Sequence, residues 1–174
     1  MTKLKGWTMA ALAVTLVSIA QPVSGQDLNE GTYEIKEING GQRIKLTGKV
    51  DTLRIGLVDG ASTLDASGLE AGEVEFYDKI DGRSTVFVKA KGSITFQKKI
   101  DGRSKVTARG KEVEFREKID GGSETIVKVD ATGSLTFTEL NGGARLYYKK
   151  NKGLNISAGK IDNSNSKFEG RDEL

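Results

Sequence analysis

The 174-residue chain contains no cysteine and no histidine. Without cysteine the fold cannot draw on disulfides, even in a compartment that would allow them. The two absences together exclude Ser–His and Cys–His nucleophilic schemes and the usual zinc ligand sets. The only proline, Pro22, and the only tryptophan, Trp7, both fall in the first 25 residues. The remaining 149 residues (174 − 25) therefore keep every backbone N–H, and with abundant glycine they suit continuous strands joined by tight turns. An excess of one charge is also missing. Of 27 basic residues, Lys3 and Lys5 lie in the first 25, which hold none of the 24 acidic ones, so residues 26–174 carry 25 − 24 = +1. Overall charge gives no ground for a nucleic-acid partner, and any electrostatic function has to come from the arrangement of charge. The apolar stretch from Trp7 to Ala20 spans 14 residues, short of the roughly 18 needed to cross a membrane.

That stretch, preceded by Lys3 and Lys5 and followed by the small residues Val23-Ser24-Gly25, reads as an export signal over residues 1–25. The expected organisation is a signal at 1–25, a β-repeat domain at 26–161 and a polar cap or tail at 162–174. The expected compartment is the periplasm, the cell surface or the extracellular space, with no membrane span after cleavage. Arg171-Asp172-Glu173-Leu174 is similar to the tetrapeptides that retain proteins in the endoplasmic reticulum, which makes that lumen the alternative.

Internal repetition dominates what is present. An Asp-Gly or Asn-Gly pair recurs at Asn39, Asp59, Asp81, Asp101, Asp120 and Asn141, with a weaker Asp162-Asn163, at intervals of 20, 22, 20, 19, 21 and 21 residues. Each unit carries two strand signals. The first alternates as Ile44/Leu46, Leu64/Ala66, Val86/Val88, Val106/Ala108, Thr125/Val127 and Leu146/Tyr148. The second alternates as Leu53/Ile55, Val74/Phe76, Ile94/Phe96, Val113/Phe115, Leu135/Phe137 and Leu154/Ile156. Polar residues fill the gaps, the period-2 pattern of a strand with one buried face. An aliphatic residue closes each unit before the turn: Val58, Ile80, Ile100, Ile119, Leu140 and Ile161. No helical stripe is sustained anywhere.

Two all-β architectures place two strands in each repeat. One is a single-domain parallel β-solenoid of about six coils, in which equivalent positions stack along the axis. The other is an antiparallel meander or barrel, in which each Asp-Gly is a hairpin turn. Phe76, Phe96, Phe115 and Phe137 hold one slot in four successive units, which favours the solenoid because it buries them as one internal ladder. On coil length, Asx-Gly turns and alternating aliphatics, residues 31–161 resemble the short-coil β-solenoids of bacterial surface and adhesin-head proteins. That resemblance implies an extracytoplasmic structural or binding role.

The regular intervals leave no coil with a long loop from which to build a catalytic cleft, so the expectation is a non-enzymatic protein without cofactor or metal. Stacked turn aspartates could in principle hold calcium. The expected role is instead bonding to turn N–H groups, with Lys79, Lys99, Lys118, Arg83 and Arg103 neutralising the column. The outward positions of the first strands point to function. Stacking gives one column of Lys45, Asp65, Phe87, Thr107, Ile126 and Tyr147, and beside it Thr47, Ser67, Lys89, Arg109, Lys128 and Lys149. The second strands expose Arg54, Glu75, Thr95, Glu114, Thr136 and Asn155, a mixed polar face. Four cations beside Phe87, Ile126 and Tyr147 suit an anionic polysaccharide or another cell-envelope component, or a protein contact through the apolar residues. Self-association into filaments through an exposed first coil is the competing expectation.

Overall fold

A computed structural model describes residues 15–16, 26–162 and 165–174. The expected signal at 1–25 lies outside the described residues except for β1 (Thr15–Leu16), which pairs parallel with β3. From there the chain runs through β2 (Gln26–Leu28), β3 (Thr32–Ile38), β4 (Arg43–Val58), β5 (Thr63–Phe76), β6 (Thr85–Ala90) and β7 (Ser93–Phe96). It continues through β8 (Lys105–Ile119), β9 (Glu124–Leu140), β10 (Arg145–Lys149), β11 (Asn155–Ile161) and β12 (Lys167–Arg171). Every pairing is parallel and joins one repeat to the next, so the chain is a β-solenoid of about seven turns and not a hairpin array. There are six full coils: β4, β5, β6 with β7, β8, β9, and β10 with β11. Partial turns flank them, β2 with β3 before and β12 after.

The coils stack through slots that the alternation predicts. Ile44, Leu64, Val86, Val106, Thr125, Leu146 and Phe168 form one column. Ile35, Ile55, Phe76, Phe96, Phe115 and Phe137 form another. Within the second, Phe76 and Phe96 stack at 4.8 Å between ring centroids and Phe96 and Phe115 at 4.7 Å, nearly coplanar at 13° and 4°. That spacing equals the interval between parallel strands, so each ring lies face to face over the next with its apolar area removed from water. Among the described residues the buried core runs from Leu28 to Tyr147.

The last coil corrects the sequence reading. Leu135 stacks on Ile156 and Phe137 on Ala158, two residues beyond the expected Leu154/Ile156 pair, and Ser157, not Asn155, continues the outer column after Thr136. The sixth coil repeats the ten-residue spacing between slots found in the fifth (Thr125 to Leu135, Leu146 to Ile156). Leu154 instead closes a turn through its N–H to the Asn151 carbonyl. Residues 165–174 are not a loose tail, because β12 pairs along its full length with β10 and begins a further turn.

The Asx-Gly pairs form corners. Both central residues are left-handed in each, for example Gly82 and Arg83 at φ 65° and 64°, or Gly102 and Arg103 at 66° and 61°. The fourth residue's N–H bonds back to the first residue's carbonyl (Ser84 to Asp81, Ser104 to Asp101). This is type I′ geometry, used here to turn a coil, with the Asx at the first position and the glycine and its successor at the two central ones. Glycine is required twice over, since a Cβ on Gly102 would collide with Asp81 Oδ1 and stand 2.6 Å from the Gly82 nitrogen of the coil below.

Thr125 is the one polar residue in its apolar column; it is fully buried and its hydroxyl has no partner. Replacing a buried, unbonded hydroxyl by a methyl of the same shape removes a desolvation penalty of about 1–3 kcal/mol. Thr125→Val should therefore raise the thermal and urea midpoints, whereas Gly102→Ala, strained in φ and blocked by the neighbouring coil, should lower both.

Candidate functional site

Two columns of charge run along the solenoid. The first follows the turns. Asp81, Asp101 and Asp120 each accept the following glycine's N–H on Oδ1 at 2.7 Å. Each Oδ2 accepts the lysine two residues earlier: Lys79 at 3.1 Å, Lys99 at 2.7 Å and Lys118 at 2.7 Å. Both oxygens are thus engaged by the chain itself. Arg83 and Arg103, expected to help neutralise the column, are exposed and take no part in these pairs. Among the described residues no group of three or more His, Cys, Asp or Glu could hold a metal ion. Where the turn begins with asparagine, the partner two residues earlier is a glutamate: Glu37 accepts from Asn39, and Glu139 accepts from Asn141 at 3.4 Å. Three of the four aspartate corners thus pair with a lysine and both asparagine corners with a glutamate, each set keeping donor and acceptor matched, while Asp59 has Leu57 at that position.

The lysine hydrogen bond, aided by the glycine N–H, holds the Asp101 and Asp120 carboxyls below the usual carboxylate range against the opposing effect of burial. Groups with a depressed folded-state pKa contribute stability above the unfolded value, about 3.9 for aspartate, and lose it as pH falls through the lowered value. The melting temperature should hold from pH 7 to 5 and fall below about pH 4, and Asp101→Asn should flatten that fall. Lys99→Glu should destabilise by placing two carboxylates together. Lys99→Glu with Asp101→Asn should recover most of the loss, by analogy with Glu139 and Asn141, as a double-mutant cycle in urea would measure.

The second column lies on the outward face of the first strands. Lys89 is in register with Arg109, Arg109 with Lys128, and Lys149 with Arg171. Lys128 and Lys149, on adjacent coils, line one hollow together with Arg109. The row therefore runs across β6, β8, β9, β10 and β12 at the interstrand interval of about 4.8 Å. Arg109, Lys128 and Lys149 have no ion pair or side-chain hydrogen bond among the described residues, in contrast to the paired turn lysines. Lys89 feels Glu70 across the corner. Arg171 was not legible as a member, since no Asx-Gly pair announces its coil; the inward Phe168 three residues before it was the available signal.

The row starts where it does because of corner length. β4 and β5 shift register between Lys45 and Thr47, so Thr47 pairs with Gly68 and not in line with Ser67. β5 and β6 shift again between Ala66 and Ala71. Ser67 lies in that bulge, its N–H and hydroxyl both bonded to Asp65 Oδ1. The expected column holds only from Lys89 onward. At the other end, the longer corners of β9 and of the β10–β11 connection open the hollow of about 290 Å³ lined by Arg109, Lys128, Asp130, Lys149, Asn151 and Leu174.

The apolar companions of the row are reduced from the expected set. Phe87 is 41% exposed and Ile126 half-buried, but Tyr147 is only 6% exposed. Glu169 stacks beside Tyr147, and the Arg171 guanidinium lies 3.6 Å from its ring centroid, a cation–π contact that covers it. Tyr147 anchors the terminal strand and so cannot offer its ring to a ligand. The same contact, and the bond from Lys150 to Asp172 at 3.4 Å, engage half of the C-terminal tetrapeptide in the fold.

The opposite face is compensated. Glu75 accepts from Arg54 at 2.8 Å and from Gln97 at 3.0 Å, and Arg116 donates to Glu114 at 2.9 Å. Burial, then its hydrogen bond to Glu34, pushes the Tyr77 hydroxyl up to about 12. The fold and this site define a parallel β-solenoid with one basic stripe, of which Arg109, Lys128 and Lys149 form no ion pair among the described residues. No family model, no curated protein and no solved structure matches the chain. No helix among the described residues is long and apolar enough to cross a membrane.

Proposed function

We propose that the protein is an exported, non-enzymatic binding module whose basic stripe follows an extended anionic polymer, with acidic polysaccharide of the cell surface or matrix as the ligand class. The observation that carries this reading is the row in which Lys89, Arg109 and Lys128 are in register and Lys149 follows on the next coil beside the same hollow; Arg109, Lys128 and Lys149 form no ion pair among the described residues, while the turn lysines form theirs. Unpaired cations repeating at one interval set up a linear positive potential that a flexible polyanion can satisfy residue by residue. Exposed Phe87 beside Lys89 gives a sugar ring an apolar surface at the start of the row. The hollow at its other end has room for a carboxylate or sulfate between Arg109, Lys128 and Lys149, three cations against the one side-chain carboxylate, Asp130, in its lining. Export through residues 1–25 supplies the compartment in which such polymers occur.

Exposed ion pairs are each worth about 0.2–1 kcal/mol. Replacing Lys89, Arg109, Lys128 and Lys149 by glutamine should therefore weaken binding to heparin or alginate about tenfold or more. Wild-type binding should weaken as salt shortens the Debye length. Binding measured by titration calorimetry that is absent in the wild type, or unchanged in the fourfold variant, sinks the reading.

A further inference from the structure

The two ends of the solenoid are unlike, and they match each other. At one end β11 has a neighbour on one side only among the described residues, since it pairs with β9 while β12 continues β10 alone. Its core slots are open there. Ile156 is 39% exposed, although Leu53, Val74, Ile94, Val113 and Leu135 in the same column are at most 1% exposed. At the other end β3 presents the second strand of a turn whose first strand, among the described residues, is only Gln26–Leu28, with Tyr33, Ile35 and Ile38 in its inward slots. Among the described residues the last turn therefore has a first strand and no second, and the first turn has a second strand and little of a first.

We infer that two copies of this chain join head to tail by seating β3 of one on the open edge of β11 of the other, so that their two partial turns make one coil. The register is set by the columns already described. Tyr33 shares its slot with Leu53 and so falls on Ile156, Ile35 falls on Ala158, and Ile38 falls on Ile161. One residue before that last slot, Glu37 of one copy meets Lys160 of the other; both are exposed. On the adjoining strand Ile44 falls on Phe168 and Lys45 beside Glu169. The contact buries the open apolar slots and pairs opposite charges at two places. It is heterologous, so it repeats into an open filament and does not close a ring or dimer.

Two features of the chain regulate the contact. Gln26–Leu28 pairs with Leu46–Gly48 and thus occupies the place that Gly170 to Asp172 of the other copy would take. β2, held by three register pairs against five for β12, is the segment that yields. β1 pairs with Tyr33 and Glu34 on the edge that a second copy needs, so assembly rests on the proposed removal of residues 1–25.

The test uses residues 26–174 produced directly, without polysaccharide, so that it depends neither on cleavage in the cell nor on ligand binding. Sedimentation velocity and negative-stain microscopy across a concentration series should show linear oligomers that lengthen with concentration. Ile156→Lys places a charge under Tyr33 at a position already exposed, and should leave a folded monomer by circular dichroism. Glu37→Lys and Lys160→Glu should each raise the concentration needed for assembly about tenfold, and an equimolar mixture of the two should assemble like the wild type, because opposite charges then meet at both kinds of junction. A monomer at every concentration, oligomers indifferent to Ile156→Lys, or single variants that mixing does not rescue would overturn the proposal. All three variants keep Lys89, Arg109, Lys128 and Lys149, so heparin binding by the Ile156→Lys monomer reports on the basic stripe separately.

Discussion

The structure depends on successive turns stacking in phase. At the corners from Asp59 to Asn141 an aspartate or asparagine accepts the N–H of its own glycine, and from Asp59 to Asp120 the carbonyl of the glycine in the next coil accepts an N–H from the corner below, as in Arg83 to Gly102 at 2.9 Å. The oxygen that makes the first bond lies where a Cβ on the next glycine would have to go. Local turn geometry and coil-to-coil contact thus require the same residue type. A corner that slipped by one residue would turn every inward side chain of the next strand outward, so the corners carry the register for the strands between them.

Once the corners are in phase, length differences have to be absorbed elsewhere. The structure puts them at the opposite corner, between the two strands of each coil. Val106 and Val113 are seven residues apart, Leu64 and Val74 ten, yet both pairs occupy the same two slots. The longer connections make bulges on the early coils and the hollow on the late ones. Most of the irregular features of this molecule arise there, with one further register shift in the second strands between Phe115 and Lys118. The start of the basic row at Lys89 and its ending beside the hollow are consequences of where the coils change length.

This explains what could be read from the chain. Alternation and the Asx-Gly spacing sufficed for the columns from Ile44 to Leu146 and for the phenylalanine ladder, because both are fixed by positions counted from a corner. Counting fails across a connection of variable length, and the last coil was misplaced by two residues for that reason: Leu154 is as aliphatic as Ile156, and only pairing with Leu135 decides between them. Tyr147 was misjudged for a different cause. Its outward direction follows from alternation, but its burial depends on β12, whose coil has no Asx-Gly pair to announce it.

The Lys–Asp and Glu–Asn pairings at the corners bear on how the stripe stays available. An aspartate column without lysines would place four carboxylates, Asp59, Asp81, Asp101 and Asp120, at the coil interval, and at that distance like charges repel appreciably even near a protein surface. The lysines two residues before three of these turns neutralise the column at Asp81, Asp101 and Asp120, as Lys99 does for Asp101 at 2.7 Å. Lysine or arginine at the stripe positions therefore has no turn carboxylate within its own coil to collapse upon. Local neutralisation at the corners and the second-strand pairs such as Arg54 with Glu75 consume the acidic residues close to where they stand. In residues 26–174, whose net charge is 25 − 24 = +1, that is how a stripe of unpaired cations can persist on one face.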